Sequence, residues 1–329
     1  MSALAPTLEA FFTQCLAAQR RASPNTVAAY RDTFRLLLRF VHDSTGTPPA
    51  RLMFENLDAP VIAAFLDHLE HRRGVTISTR NARLAAVHSL FRFAALRHPE
   101  HAAVIQRVLA IPSKRADRAL VTYLTRPEID ALLAAPDGAT RIGRRDRALL
   151  LVAVQTGLRV SELVGLRYQD VTLSTGAHLR CTGKGRKQRS TPLLSQTVVV
   201  LRDWLAECGG GPGDPVFPGP AGNPLTRDAI TRMVARHAGT AAASCPSIAT
   251  KRVSPHVLRH SAAMQLLEAG VDVSVIALWL GHESIRTTDI YQHADLRLKE
   301  RALARTAPPT APRGRYRPPD ILLAFLEAL

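Results

Sequence analysis

Six side chains in this 329-residue chain are, by type, the parts of a site that handles a phosphate: Arg159, Lys184, His256, Arg259, His282 and Tyr291. Two arginines can neutralise the two non-bridging oxygens of a phosphodiester and the charge that grows on them in the transition state. A tyrosine hydroxyl can attack phosphorus and hold the phosphate covalently, while a lysine protonates the departing sugar oxygen. That scheme calls for no metal and no cofactor, and the chain offers no HExxH, no P-loop lysine and no clustered carboxylates that would point elsewhere. Singly, each residue has a plainer reading. Arg159 and Glu162, three apart, fit a surface ion pair. Lys184 fits an ordinary basic turn, and a lone tyrosine such as Tyr291 fits a core or interface position.

Local sequence supplies each of them with an element. Gly157 lies shortly before Arg159 where a helix over Val160–Leu166 begins, which lets the guanidinium approach a ligand closely. Lys184 stands between Gly183 and Gly185 at the tip of an expected hairpin, His178–Thr182 with Gln188–Leu194. Ser254 and Pro255 read as cap and first residue of a helix, so His256 and Arg259 project from one face of its first turn, where the helix end favours anions. His282 follows Gly281, a helix stop after the apolar run Val273–Leu280.

Further out, a helix starts at Ser23-Pro24 and carries the stripe Val27, Tyr30, Phe34, Leu37 and Val41. Arg31, Arg35 and Arg39 repeat on another face, either as a solvated surface or as a row of phosphate contacts. A second helix is expected over Pro60–Arg72. A third starts near Ser78 with Leu84, Val87, Phe91 and Ala94 inward and Arg80 and Arg83 on its polar side. No strand-like alternation precedes residue 112. The expected plan is therefore a helical domain over 1–112, a charged linker over 113–121, a second domain over 122–307 and a Pro/Arg-rich tail over 308–329. Thr125 and Glu128 form a capping-box pattern, an apolar helix is expected around Arg147–Gln155, and Gly239–Ser247 reads as a flexible small-residue stretch. The fold class is mainly α with a small β-sheet (α+β).

Lys and Arg number 43 against 27 Asp and Glu, a formal net charge of +16, and only five of the 43 are lysines. Both domains share the excess: residues 1–112 hold 13 basic and 8 acidic residues, residues 113–307 hold 27 and 17. With 46% apolar residues the chain folds, so this charge sits on a folded surface and suits a polyanion, most simply nucleic acid. No apolar run nears the ~20 residues that cross a bilayer, and no secretory leader is visible. Cysteines 15, 181, 208 and 245 are scattered without a CxxC pair, against a zinc site or a disulfide framework. A reducing cytoplasm, associated with the nucleoid, is the expected location.

The segments TGLRVSEL (156–163), GKGRKQR (183–189), HVLRH (256–260) and LGHESIRTTDIYQH (280–293) occur in an order and spacing that resembles the tyrosine recombinase, or phage integrase, family. The resemblance spans most of residues 122–300, and the N-terminal helices resemble that family's core-binding domain. One departure is His260-Ser261-Ala262-Ala263-Met264-Gln265, where many members carry a Thr-Phe-Ala-Thr-His type run. The resemblance implies a catalytic domain and core-binding domain forming a C-shaped clamp on double-stranded DNA. It implies Tyr291 as nucleophile, with Arg159, Lys184, His256, Arg259 and His282 activating the phosphate and Glu162 behind Arg159 or His256. Arg31, Arg35, Arg39, Arg80, Arg83, Arg186, Lys187 and Arg189 become candidate DNA contacts.

The implied activity is site-specific recombination through a 3′-phosphotyrosyl intermediate, by a homotetramer on synapsed DNA or together with related recombinases. Integration or excision of a mobile element is the expected role. Two alternatives use the same residues or surface: a type IB topoisomerase, which needs no synapsis, and a silent DNA-binding partner, which has no need for a complete residue set. In the tail, Ile321, Leu322, Phe325, Leu326 and Leu329 form an apolar stripe that can dock on its own domain or on a neighbour.

Overall fold

In a computed structural model the described residues are 4–115, 121–183 and 188–281; the linker residues 116–120, the hairpin tip 184–187 and everything from His282 onward, tail included, lie outside them. The chain divides into two compact units, Met1–Arg118 and Ala119–Leu329. Among the described residues the only sheet is three-stranded and no helix is long and apolar enough to cross a membrane.

Among the described residues the first unit is helical, with no named strand. Helix α1 (Leu4–Ala10) continues as a π-helical stretch, Phe11–Gln19, followed by α2 (Pro24–Thr45). The Ser23 side chain caps α2 by accepting the Thr26 amide, and Gly46 ends it in the left-handed region. Helix α3 (Ala59–Asp67), capped by Asp58, runs on as a wider turn through Arg72, so the expected helix over Pro60–Arg72 is present with a change of pitch. Helix α4 (Ile77–Ala95) buries Leu84, Val87, Phe91 and Ala94 against Phe11, Phe34, Leu37 and Phe65. Helix α5 (Ala102–Leu109), not foreseen, closes the unit over Ile105 and Val108.

Two arginines of α4 differ from expectation. Arg80 is buried and donates to the Pro112 carbonyl and to Asn81, while Arg83 donates to Ala29 O and Thr33 Oγ1 and so ties α4 to α2. The Arg80 guanidinium is enclosed within the unit instead of standing out as a phosphate contact, whereas Arg83 is half-buried with Nη1 on the two α2 acceptors. Buried carbonyls need donors, and a long arginine can supply one across two helices.

The second unit opens with α6 (Arg126–Ala134), on the capping box of Thr125 and Glu128. Helix α7 (Arg141–Thr156) follows, then α8 (Val160–Gly165). Strands β1 (Val171–Thr172), β2 (His178–Thr182) and β3 (Gln188–Pro192) form an antiparallel meander, with Cys181 opposite Arg189 and Thr182 opposite Gln188. The two hairpin strands stand where they were expected, although β3 stops at Pro192. Helices α9 (Ser195–Cys208), α10 (Arg227–Ala241), α11 (Pro255–Glu268) and α12 (Val273–Leu280) complete the unit.

The stretch Gly239–Ser247, read as flexible, is ordered at both ends. Helix α10 runs to Ala241, and Ser247 enters a 3-10 turn, Pro246–Thr250. Its anchor is a buried carboxylate: Glu128 accepts Ser247 Oγ at 2.7 Å and Lys251 Nζ at 2.6 Å, which fixes the chain just ahead of α11. At the other end of α7, fully buried Asp146 accepts from Arg145, Arg236 and His237, joining α7 to α10. With each buried charge paired and bonded, the ion pairs fix geometry even where their net stabilisation is small.

Candidate active site

Helix α7 ends at Gly157, in the left-handed region at φ +63°, and α12 ends at Gly281, at φ +64°. A helix end leaves its last carbonyls without amide partners and carries partial negative charge, so cations gather there. Three arginines take up those acceptors at the end of α12. Arg189 Nε donates to Trp279 O at 3.1 Å, Arg259 Nη2 to Leu280 O at 2.7 Å and Arg159 Nη2 to Gly281 O at 3.0 Å. Arg259 Nη1 also donates to Gly157 O at 2.6 Å, and Trp279 Nε1 to Thr156 O at 3.1 Å, so the two helix ends are tied together.

Arg159 and Arg259 thus hold consecutive carbonyls although they lie a hundred residues apart in the chain. Arg259 is fully enclosed on α11, one turn after Pro255, while the Arg159 side chain is about a third exposed (34%) and reaches solvent. His256 stands one helical turn before Arg259, as the spacing required, and its ring reaches solvent. Its pKa lies below the ordinary imidazole value, first through partial loss of solvation and then through the charges of Arg259 and Arg159. The result is a neutral imidazole beside two fixed guanidiniums, a set that suits a phosphodiester anion. Among the described residues no group of three or more His, Cys, Asp or Glu could hold a metal ion.

Glu162 is buried beneath this set. It accepts the Arg159 amide at 2.7 Å, Arg159 Nη1 at 3.1 Å, and both Arg189 Nη atoms at 2.9 and 2.8 Å. Burial alone would raise its pKa; the hydrogen bonds from Arg189 and from the Arg159 amide, with the two arginine charges, outweigh that and hold it below the usual carboxylate range. Of the two partners foreseen for Glu162, the structure supplies Arg159.

Arg189 differs from expectation. Expected with Arg186 and Lys187 as a DNA contact, it has a side chain that is 12% exposed and folded onto Glu162. The signal was available: Arg189 pairs across the ladder with buried Cys181 and shares a strand face with buried Thr191, so strand alternation turns it inward. Arg31, Arg35 and Arg39 lie exposed along α2, Arg31 bonded to Asp32. Lys184, Arg186, Lys187, His282 and Tyr291 lie outside the described residues.

The His256 and His260 rings meet edge to face, their centroids 4.3 Å apart. Burial, then the His256 and Arg259 charges, push His260 down to about 4. An unfolded chain takes up that proton near 6.5, so the folded state loses stability as the pH falls below 6.5 and stops losing it below about 4. The expected loss is at most about 3 kcal/mol, read as a steeper acid dependence of the urea midpoint in the wild type than in His260→Gln. Equal acid dependence in the two proteins would contradict it.

Comparison with known proteins agrees with this architecture. The pattern of the phage integrase family matches residues 122–297, and that of the phage integrase N-terminal SAM-like domain matches residues 10–98. A protein of Sinorhizobium fredii described as an integrase/recombinase, y4rC, is 56% identical over 328 residues, covering 100% of this chain and 99% of its own. The tyrosine recombinase XerC of Xylella fastidiosa is 35% identical over 86% of this chain and 91% of its own. The crystal structure of the XerH site-specific recombinase bound to palindromic difH substrate shares the fold, with a TM-score of 0.68, 22% identity, and coverage of 91% of this chain and 87% of that one. The chain belongs to the phage integrase family and is a tyrosine-type site-specific recombinase.

Proposed function

We propose that this recombinase cuts and rejoins double-stranded DNA at a phosphate held by Arg159, Arg259 and His256, with Tyr291 as nucleophile. The observation that carries the reading is the pair of guanidiniums on the consecutive carbonyls of Leu280 and Gly281, beside a neutral imidazole. The two arginines take the non-bridging oxygens and the charge that develops there. The Tyr291 oxygen bonds to phosphorus as the bond to the 5′ sugar oxygen breaks. The phenol gives up its proton to water, and Lys184 delivers one to the departing oxygen. A 3′-phosphotyrosyl bond and a free 5′-hydroxyl result, and attack by a 5′-hydroxyl of the partner duplex reverses the chemistry. His282, directly after Gly281, adds a donor to the phosphate.

The mobile-element role fits the integrase description of the S. fredii relative. Four protomers on a synapsed pair of sites, and exposed Arg31, Arg35 and Arg39 on the DNA backbone close to the nucleoid, complete the proposal. The test uses a tiled set of nicked duplexes covering the DNA on either side of the gene. The wild type should yield an SDS-resistant protein–DNA adduct at equal rates with and without EDTA. No adduct on any duplex would overturn the reading, and loss of the adduct with chelator would replace it with a metal-dependent one.

A further inference from the structure

We infer that Arg189 is a positioning residue for the recombination chemistry: it neutralises buried Glu162 so that the guanidinium of Arg159 keeps its charge for the phosphate. The inference rests on the assignment of Arg159 to the phosphate made above. Three charges meet here, one carboxylate and two guanidiniums. The geometry decides which arginine Glu162 takes. Arg189 closes on it with two parallel bonds, 2.9 and 2.8 Å, from a side chain that is 12% exposed. Arg159 offers one bond of 3.1 Å and is 34% exposed, with Nη2 on Gly281 O. The forked, enclosed pair is the stronger.

Removing Arg189 changes the balance of the group. A buried carboxylate then faces Arg159 alone, and an unpaired buried charge is costly enough to draw the nearest cation fully onto it. Arg159 would fold down on Glu162 and lose both its charge and its donors to the ligand. Arg189 also braces the end of α12 through Trp279 O. The fit there is close, because a Cβ at Gly281 would stand 2.8 Å from Arg189 Nη1. One side chain of β3 therefore sets the distance between α8, which carries Arg159, and the last turn of α12, whose carbonyls hold both arginines of the site.

The test separates positioning from DNA contact and from stability. Binding is measured with a random-sequence duplex over a range of salt, and cleavage with the tiled nicked duplexes at saturating protein. Arg189→Met should cleave about 100-fold more slowly, the size of effect expected from a displaced catalytic group. Its affinity for the random duplex, and the slope of that affinity with salt, should match those of Arg159→Met, because the one charge withdrawn from the phosphate is that of Arg159 in both variants. In Glu162→Gln the amide makes no demand for charge, so adding Arg189→Met to it should cost little further cleavage.

If Arg189→Met is poorly folded, Arg189→Lys replaces it, and it too should cleave more slowly at unchanged affinity, since an ammonium cannot make the paired bonds. A salt slope lower by about one in the Arg159→Met, Arg189→Met double variant than in Arg159→Met alone would make Arg189 a phosphate contact of its own and overturn the inference. Full cleavage by either variant, or losses that multiply in the double variant, would overturn it as well. Failure of the wild type to form any adduct takes down the assignment of Arg159 and this inference together, whereas an active wild type with any of those outcomes removes the inference alone.

Discussion

Arg259→Met is expected to slow strand cleavage by roughly a thousandfold or more in single turnover, with DNA affinity changed far less. Removal of one preorganised donor to a developing oxyanion costs about 10²–10³ in rate. Arg259 does more than donate, because it also closes Gly157 O at 2.6 Å and Leu280 O at 2.7 Å. Methionine fills much of the same volume and leaves both carbonyls without that donor, so the ends of α7 and α12 lose their tie and Arg159 moves with them. Each unsatisfied buried acceptor costs about 1–3 kcal/mol, so the urea midpoint should fall too. Arg259→Lys keeps the charge but cannot bond two carbonyls and a phosphate together, and it should fall between Met and wild type. A methionine variant cleaving within about tenfold of wild type would show that the phosphate binds elsewhere.

Gly157→Val is expected to have the largest effect on stability. Gly157 sits at φ +63°, and a Cβ there would lie 2.6 Å from Leu280 Cδ2, 3.2 Å from Ala262 Cβ and 3.8 Å from Arg259 Cγ. Leu280 and Ala262 are buried and cannot swing aside. The left-handed conformation costs about 1–2 kcal/mol for a residue with a Cβ, and overpacking costs roughly 1–3 kcal/mol. A combined loss of about 3 kcal/mol lowers the Tm by roughly 10 °C in a unit of this size. Gly165→Ala is the control, since nothing lies within 4 Å of a Cβ there. A valine variant as stable as that control would mean that the α7–α12 contact is not as close as described.

The elements were legible where one signal dominated. Ser23-Pro24, Thr125 with Glu128, and Ser254-Pro255 start α2, α6 and α11 through local hydrogen bonds that the sequence states outright, and Gly281 ends α12. The pairing of His256 with Arg259 followed from helical spacing alone. What stayed hidden depends on partners distant in sequence. Nothing near Gly239 announces that Ser247 will reach Glu128.

Arg80 and Arg83 carry charge and sit among polar neighbours, so periodicity assigned them to solvent. The burial of Arg80 and the inward turn of half-buried Arg83 are decided by the carbonyls of Pro112 and Ala29 and the hydroxyl of Thr33, which no local pattern reveals. Arg189 is the instructive case. Its place in a basic cluster argued for DNA and its place in a strand argued for the interior, and a buried carboxylate on another helix settled it. Helix α5 has only eight residues, about two turns, too few for its apolar face to establish a period, and the mixed faces of α9 gave no clean one.

The central claim, that the protein holds cleaved DNA through the phenol of Tyr291 at a phosphate bound by Arg159 and Arg259, is tested most directly by locating the covalent bond. The trapped adduct is digested with protease and nuclease, and the peptide bearing a residual nucleotide is sequenced by mass spectrometry. That mass is expected on the peptide containing Ile290-Tyr291-Gln292, with Tyr291→Phe giving no adduct at all. A nucleotide attached to any other residue, or an adduct that survives in the phenylalanine variant, would contradict it.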